Sequence, residues 1–274
     1  MILFPYAKIN LGLQIVGVRP DGYHDISTVM VPVMWRDILE LTPARGPETT
    51  LTTYGRAVDC LPEKNLVMKA YRAMCAFTGG LPPVDFHLDK RIPDGAGMGG
   101  GSADAAFAIR GLNELFNLGL DDDTLARVAV TVGADCPFFI YNRPALCQGI
   151  GDRITLDVHP ALDGHRIIIV KPRVASVSTK EAYDNAVCTP GKVDLPSIVE
   201  QSPAQWRGRL VNDFESSVFP RLPLLAETKQ RMYDSGAAYA SMTGSGAAIY
   251  GIFDDDKLAQ TAYDNFADCD KIAL

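Results

Sequence analysis

The chain has 274 residues, 47% of them apolar and 22% charged, and carries a formal net charge of −7. This length can bury a core in one large domain or two modest ones, and the acidic balance argues against general nucleic-acid binding, which needs a basic surface. No apolar run approaches the roughly 20 residues that span a bilayer, and the opening MILFPYAKIN has neither the basic end nor the long apolar stretch of a secretory signal, so a cytoplasmic protein without nucleic-acid or membrane partners is expected.

The first forty residues read as strand. FPYAKINLGLQIVGV is apolar and β-branched, with breaks expected at Gly12 and Gly17. Pro20-Asp21-Gly22 marks a turn, and HDISTVMVPVMWRDILELTP resumes the strand pattern. Asn65 opens a helix that Gly79-Gly80 stops. VDFHLDKRI alternates apolar with polar residues, as a strand does, and Pro93 closes it. Residues 99–118 have helical spacing and many alanines, and their start emerges directly from a glycine-rich loop. Asp121 to Asp123 cap a further helix running toward Gly133.

ALCQGIGDRITLDV reads as strand and turn, and RIIIVKP as a short strand. Pro223 starts a helix that Gly236 ends. AYASM, TGSG and AAIYGIF follow as strand, tight loop and strand, and Asp254 to Asp256 cap a last helix. Composition shifts near 155–166, which suggests domains at 1–158 and 159–274. The six cysteines form no C-x-x-C pair and read as reduced core thiols, while the four histidines form no H-x-x-x-H pair, which argues against zinc.

The strongest local signal is PDGAGMGGGSADAA at 93–106, where five of the first nine residues are glycine. Bare Cα atoms let backbone N–H groups approach an anion, and a helix beginning at the loop adds unpaired donors and partial positive charge. The result is a phosphate cradle rather than a mere flexible cap. Gly95, Gly97 and Gly100 also match G-x-G-x-x-G, but the acidic residue expected about 20 positions on would be Glu114, inside the helix rather than at a strand end. No Gly-Lys-Ser/Thr follows the glycines, so the common nucleotide-triphosphatase loop is absent as well.

Three stretches resemble the motifs of the GHMP kinase superfamily in the same order: AKINLGLQIVGVRPDGYH at 7–24, PDGAGMGGGSADAA at 93–106 and MTGSGAAIYGIF at 242–253. The form of the first, together with GADCPFF at 133–139, is similar to members whose acceptor is a cytidine diphosphate ester. Ala103 stands where these kinases usually have Ser, Cys136 where Val is usual and Thr243 where Ser is usual.

The resemblance implies an α+β two-domain kinase fold, ATP and Mg2+ as cofactors, and ATP and acceptor bound in a cleft between the domains. The ATP loop would comprise Pro93, Asp94, Gly95, Ala96, Gly97, Met98, Gly99, Gly100, Gly101, Ser102 and Ala103. Asn65 and Lys90 would assist, although Asn65 also reads as a plain helix cap and Lys90 as a solvated strand end. Asp135 would take or orient the acceptor hydroxyl proton, beside Lys8. Asn10 shares a strand face with Lys8 and can bind substrate oxygens. Thr243, Gly244, Ser245 and Gly246 would close on the substrate diphosphate. Tyr23 and His24 follow a turn and can reach a base, and Tyr183 would close its other side, or else be an ordinary half-buried helix residue.

Overall fold

The structure, a computed structural model, describes residues 1–58, 60–188 and 193–274. In chain order the strands and helices begin with β1 (Ile2–Leu3), β2 (Tyr6–Val18), β3 (His24–Arg36), β4 (Ile38–Pro43) and β5 (Thr50–Gly55). Next come α1 (Leu66–Thr78), β6 (Val84–Lys90), α2 (Gly100–Leu115), α3 (Asp122–Ala129) and α4 (Cys136–Tyr141). The chain continues through β7 (Ala145–Gly149), β8 (Arg153–Thr155), β9 (Arg166–Pro172), α5 (Thr179–Asp184), α6 (Leu195–Val199) and α7 (Glu215–Val218). It ends with α8 (Pro223–Asp234), β10 (Tyr239–Met242), β11 (Ile249–Phe253), α9 (Asp256–Asn265) and β12 (Cys269–Ala273). The mixture of helices and sheets is the α+β class that the sequence implied.

Two compact units are each drawn from separated stretches. The first takes Met1–Lys8, Pro32–Asp94 and Gly99–Arg143; the second takes Ile9–Val31, Gly95–Met98 and Pro144–Leu274.

In the first unit, one sheet runs in the order β1-β4-β6-β5. Its inward residues Leu39, Leu41, Phe86 and Leu88 are fully buried, one face of a period-two pattern. Helix α2 comes close to this sheet because Gly111 carries no side chain: a Cβ there would lie 2.9 Å from Leu41 Cδ2 and 2.8 Å from Leu3 Cδ1. Helix α1 buries Val67, Ala70 and Met74, three residues at helical spacing. It ends at Gly79, whose φ of 82° is the left-handed conformation that stops a helix.

In the second unit, β10-β11-β9-β12 form one antiparallel sheet, with Ile249 opposite Val170 and Lys271 opposite the same residue from the other side. Its covered face packs Ile168, Val170, Ile249 and Phe253 with Leu225, Met232, Ala259 and Phe266 from α8, α9 and the turn after α9. A second sheet runs β2-β3-β7-β8, in which Ile26 pairs with Gly149.

Several local expectations change. Gly12 and Gly17 do not break β2, which is continuous from Tyr6 to Val18; Gly12, at φ 70°, is absorbed within the strand. The long strand pattern after His24 divides at Asp37 into β3 and β4. The helix after Asp121 ends at Ala129 rather than continuing through Val132. Strand β5, parallel to β6, is mostly exposed and has no apolar alternation to announce it. Among the described residues, no helix is long and apolar enough to cross a membrane.

Candidate active site

In the first unit, the site begins where the glycine loop becomes α2. Gly99 is the N-cap of this 16-residue helix and has φ 69°. The first turn leaves its N–H groups without helical partners and carries the positive end of the helix dipole. The loop is packed closely from beneath. A Cβ on Gly99 would lie 2.8 Å from Phe139 Cζ and 3.4 Å from Lys8 Cε; one on Gly100 would lie 3.1 Å from Ile92 Cγ2 and 3.4 Å from Lys90 Nζ. Two ammonium-bearing side chains therefore reach the start of the helix.

Asp135 is the N-cap of α4, and Phe139 lies one helical turn after it. The same turn meets the glycine loop a second time. Ser102 Oγ lies 4.0 Å from the Cβ position of Gly133, and Cys136 Sγ lies 3.2 Å from the same point. Burial pushes that thiol up to about 12, so Cys136 is an inert packing group beside Asp135. Lys8 is buried, in β2. The first unit thus brings Lys8, the Gly99–Ser102 segment and the Asp135 turn into one neighbourhood.

Lys90 has a more particular environment than a strand-end lysine. Its Nζ donates to Asp37 Oδ2 and, at 2.7 Å, to Asp104 Oδ2. Asp37 is fully buried, and its Oδ1 accepts from the backbone N–H groups of Arg91 at 2.5 Å and Ile92 at 2.8 Å. Burial alone would lower Lys90, but the two carboxylates outweigh it and hold the ammonium above its ordinary value. Burial, joined by the Asp37 charge, pushes Asp104 up to about 8 against the pull of Lys90. Asp104 Oδ1 is buried without a hydrogen-bond partner, as suits a carboxyl that keeps its proton. The neighbouring Arg91 side chain is exposed and pairs with Asp89.

Asn65 caps α1, its Oδ1 accepting from Val67 N at 2.9 Å, so the cap reading is realised in the structure. Pro93 is buried and Asp94 exposed.

The second unit holds the other half of the glycine loop against the third motif. Ala247 N donates to Gly95 O at 2.9 Å and Ala248 N to Ala96 O at 3.1 Å. A Cβ on Gly97 would lie only 2.1 Å from Thr243 O, and one on Gly244 only 2.7 Å from Gly97 O. Both glycines are needed for two backbones to touch, a reason that the phosphate argument had not supplied. Met98 is buried. Asn10 is buried too: its Nδ2 donates to Thr28 Oγ1 at 3.0 Å, and its Oδ1 accepts from Thr243 Oγ1 at 3.1 Å. The amide that the sequence offers to substrate oxygens thus ties β2 to β3 and to the third motif. Ser245 Oγ and Thr179 Oγ1 share a hydrogen bond at 3.2 Å, and a Cβ on Gly246 would lie 2.8 Å from Met242 Sδ and 3.3 Å from Val177 Cγ2.

His24 and Tyr183 meet ring to ring, centroids 5.1 Å apart at 36°, and Tyr183 stands perpendicular to Phe214, centroids 4.8 Å apart. Tyr23, by contrast, is 62% exposed. The structure therefore brings His24 and Tyr183 together and leaves Tyr23 at the surface.

Sequence reasoning missed Asp37 and Asp104. The only signal for Asp104 was a lone acid in an alanine-rich helix, and Asp37 lay unmarked inside a stretch that reads as continuous strand.

The family model for the N-terminal domain of GHMP kinases matches residues 65–143, and that for the C-terminal domain matches residues 196–271. The chain is 45% identical over 258 residues to a 4-diphosphocytidyl-2-C-methyl-D-erythritol kinase of Bacteroides thetaiotaomicron, covering 93% of each sequence. It is 38% identical over 258 residues to the enzyme of the same name from a Geobacter species, covering 93% of this chain and 90% of the relative. Among solved structures, it resembles a 4-(cytidine 5'-diphospho)-2C-methyl-D-erythritol kinase with a TM-score of 0.82 at 30% identity, over 100% of this chain and 98% of the other. A mevalonate kinase of Methanococcus jannaschii, at 13% identity and a TM-score of 0.72 over 100% of this chain and 96% of the other, shares the fold.

Proposed function

The chain belongs to the 4-diphosphocytidyl-2-C-methyl-D-erythritol kinases among the GHMP kinases, and we propose that it performs their reaction with Lys8 and Asp135 at the reacting hydroxyl. It is a small-molecule kinase that moves the γ-phosphoryl group of ATP to the 2-hydroxyl of 4-diphosphocytidyl-2-C-methyl-D-erythritol, a step toward isoprenoid precursors by the non-mevalonate route.

Phosphoryl transfer asks the protein for a held triphosphate, an aimed hydroxyl and compensation of the charge that spreads over the moving group. Gly99 to Ser102 supply the first through backbone N–H groups at the start of α2, with the rest of Pro93 to Ala103 shaping the loop. Asp135 accepts the proton of the acceptor hydroxyl as its oxygen bonds to the γ-phosphorus and the bond to ADP breaks. Lys8 lends positive charge that favours the developing alkoxide. Lys90 lends positive charge beneath Gly100, and Asn65 sets the start of α1. Mg2+ arriving with the nucleotide would offset phosphate charge, and Ser102 is the residue of the loop whose hydroxyl could help to hold it.

The acceptor is held by the residues of the second unit. Ser245 and its glycine neighbours offer backbone donors to the diphosphate, with Thr243 fixed from behind by Asn10. His24 and Tyr183 hold the cytosine, and Tyr23 lies beside them in sequence. The protein works in the cytoplasm, where ATP is supplied.

The observation that carries this reading is the packing of Lys8 and Phe139 against Gly99, which puts the basic side chain, the Asp135 turn and the phosphate loop in one place. Measuring ADP release against a panel of alcohols tests it. The cytidylyl ester should be used at least tenfold better than mevalonate, homoserine or free sugars; comparable use of any of these would sink the acceptor assignment.

A further inference from the structure

The stretch Val211–Glu215 has no part in the roles assigned so far, yet it holds the third glycine motif from behind. Its backbone pairs with β2: Leu13 N donates to Val211 O at 2.9 Å, and Asp213 N to Leu13 O at 2.9 Å. Asp213 Oδ2 accepts from Ile15 N at 2.8 Å. Glu215 Oε1 accepts from Met242 N at 2.8 Å and from Ser241 Oγ at 3.0 Å, and its other oxygen is paired with Lys229.

Asn212 occupies the centre. It is buried, and its Nδ2 donates to Met242 O at 2.7 Å and to Gly244 O at 2.8 Å, while its Oδ1 accepts from Phe214 N at 3.0 Å. One amide thus satisfies three backbone groups, two of them carbonyls of the loop.

A trans peptide is planar, so its C=O and the following N–H point in opposite directions. Gly244 O turned toward Asn212 therefore aims the N–H of Ser245 the other way. Among the described residues, that N–H is not used in a protein hydrogen bond. Gly244, at φ 55°, and the neighbouring Gly97 leave no room for side chains that would hold the loop by packing alone. Polar tethering has to fix its orientation.

We propose that Asn212 is a positioning residue that sets the Gly244–Ser245 peptide so that the Ser245 N–H is presented to a diphosphate oxygen of the acceptor. This rests on the reading of the third motif as the diphosphate loop.

The test is Asn212→Asp, an isosteric change that keeps the acceptor for Phe214 N but sets a carboxylate against two carbonyl oxygens. kcat/KM for the cytidylyl acceptor should fall about 10- to 100-fold, the loss expected when a hydrogen bond to a charged group is removed, through a higher acceptor KM, with the KM for ATP within about twofold. Amide hydrogen exchange across 243–247 should quicken selectively. Asn212→Ser, whose hydroxyl can serve one carbonyl, should fall between wild type and Asn212→Asp, and it carries the test if Asn212→Asp does not fold. Unchanged exchange across 243–247 would overturn the positioning role. Faster exchange with unchanged acceptor kinetics would leave the tether standing but overturn the diphosphate reading, and with it the presentation of Ser245. Equal losses for ATP and acceptor, tracking a fall in Tm, would reduce Asn212 to a structural residue and overturn the proposal.

Discussion

Phe139 sets its ring against the bare Cα of Gly99: Phe139 Cζ is 2.8 Å from the point that a Cβ would occupy there, and Gly99 holds φ 69°. Any side chain at this position meets two penalties. The left-handed conformation costs a non-glycine residue about 1–3 kcal/mol, and the ring would have to move. Because Phe139 lies one turn after Asp135, its displacement would also disturb the acid.

Gly99→Ala should therefore weaken ATP binding at least tenfold and lower kcat as well, measured by calorimetric titration and steady-state turnover. Gly101→Ala is the comparison for stability, since a Cβ there meets only Leu66 Cδ1 at an ordinary 3.5 Å. Its Tm should stay within a few degrees of wild type. Gly99→Ala protein that binds and turns over ATP normally would show that neither the conformation nor the ring matters.

The Lys90 cluster predicts a dependence of stability on pH. Asp104 moves from an ordinary 3.8 up to about 8 in the folded protein, so the native state holds this proton more tightly than the unfolded chain. Its contribution is complete below about pH 3.8 and declines as pH rises toward about 8. Asp104→Asn keeps an oxygen for Lys90 and has no charge to bury. The variant should lose the part of the fall in Tm between pH 5 and 8 that Asp104 causes. Parallel Tm curves for wild type and variant across that window would refute the raised value.

Asp135 and Lys8 are expected to act as one unit. Asp135→Asn should leave nucleotide affinity nearly intact and reduce kcat by about 10²–10⁴-fold, the usual range for loss of a general base. Lys8→Ala should cost a similar factor, and the double variant little more than either alone. Single-turnover measurements separate chemistry from binding here. Additive losses would mean that the two residues serve independent steps, and near-normal turnover by Asp135→Asn would remove it from the reaction.

The order of elements was largely legible because their punctuation is local. Asn65 and Gly79 bracket α1, Gly99 starts α2, Asp255 caps α9, and TGSG joins two strands. Strand β5 escaped notice because Thr50–Gly55 lies mostly exposed on a sheet edge, without apolar alternation. The glycine loop was legible for the same reason as the helices, since glycines directly before a helix are local punctuation too. The rest of the site depends on residues distant in sequence. Nothing near Asp104 announces Asp37, 67 positions earlier, or Lys90; only the folded chain puts three ionisable groups under Gly100. Asn10 shows the converse. Its place on a strand was read correctly, but its amide meets Thr28 and Thr243, and strand alternation does not name what lies beside a side chain.

The base of the acceptor supplies the last prediction. Tyr183 is wedged between His24, 5.1 Å away by centroid, and the perpendicular ring of Phe214 at 4.8 Å. A ring braced on one side by a perpendicular aromatic keeps its orientation, which makes it a good stacking platform. Stacking on an aromatic is worth about 1–3 kcal/mol per base and tolerates any base. Selection of cytosine then falls to hydrogen bonds, and His24 can provide them from its ring or its backbone. Tyr183→Ala should raise KM for the cytidylyl substrate about tenfold or more and leave KM for ATP almost unchanged. Tyr183→Phe, which keeps the ring, should restore most of the loss; without that rescue, the hydroxyl rather than the ring would be the contact. The wild-type enzyme should also prefer the cytidine ester to its uridine analogue, because a site built on hydrogen bonds leaves buried groups unpaired with the wrong base. Side-by-side kcat/KM values decide the matter. Equal use of the two esters would remove His24 from base recognition, while a Tyr183→Ala variant with unchanged KM would place the cytosine elsewhere.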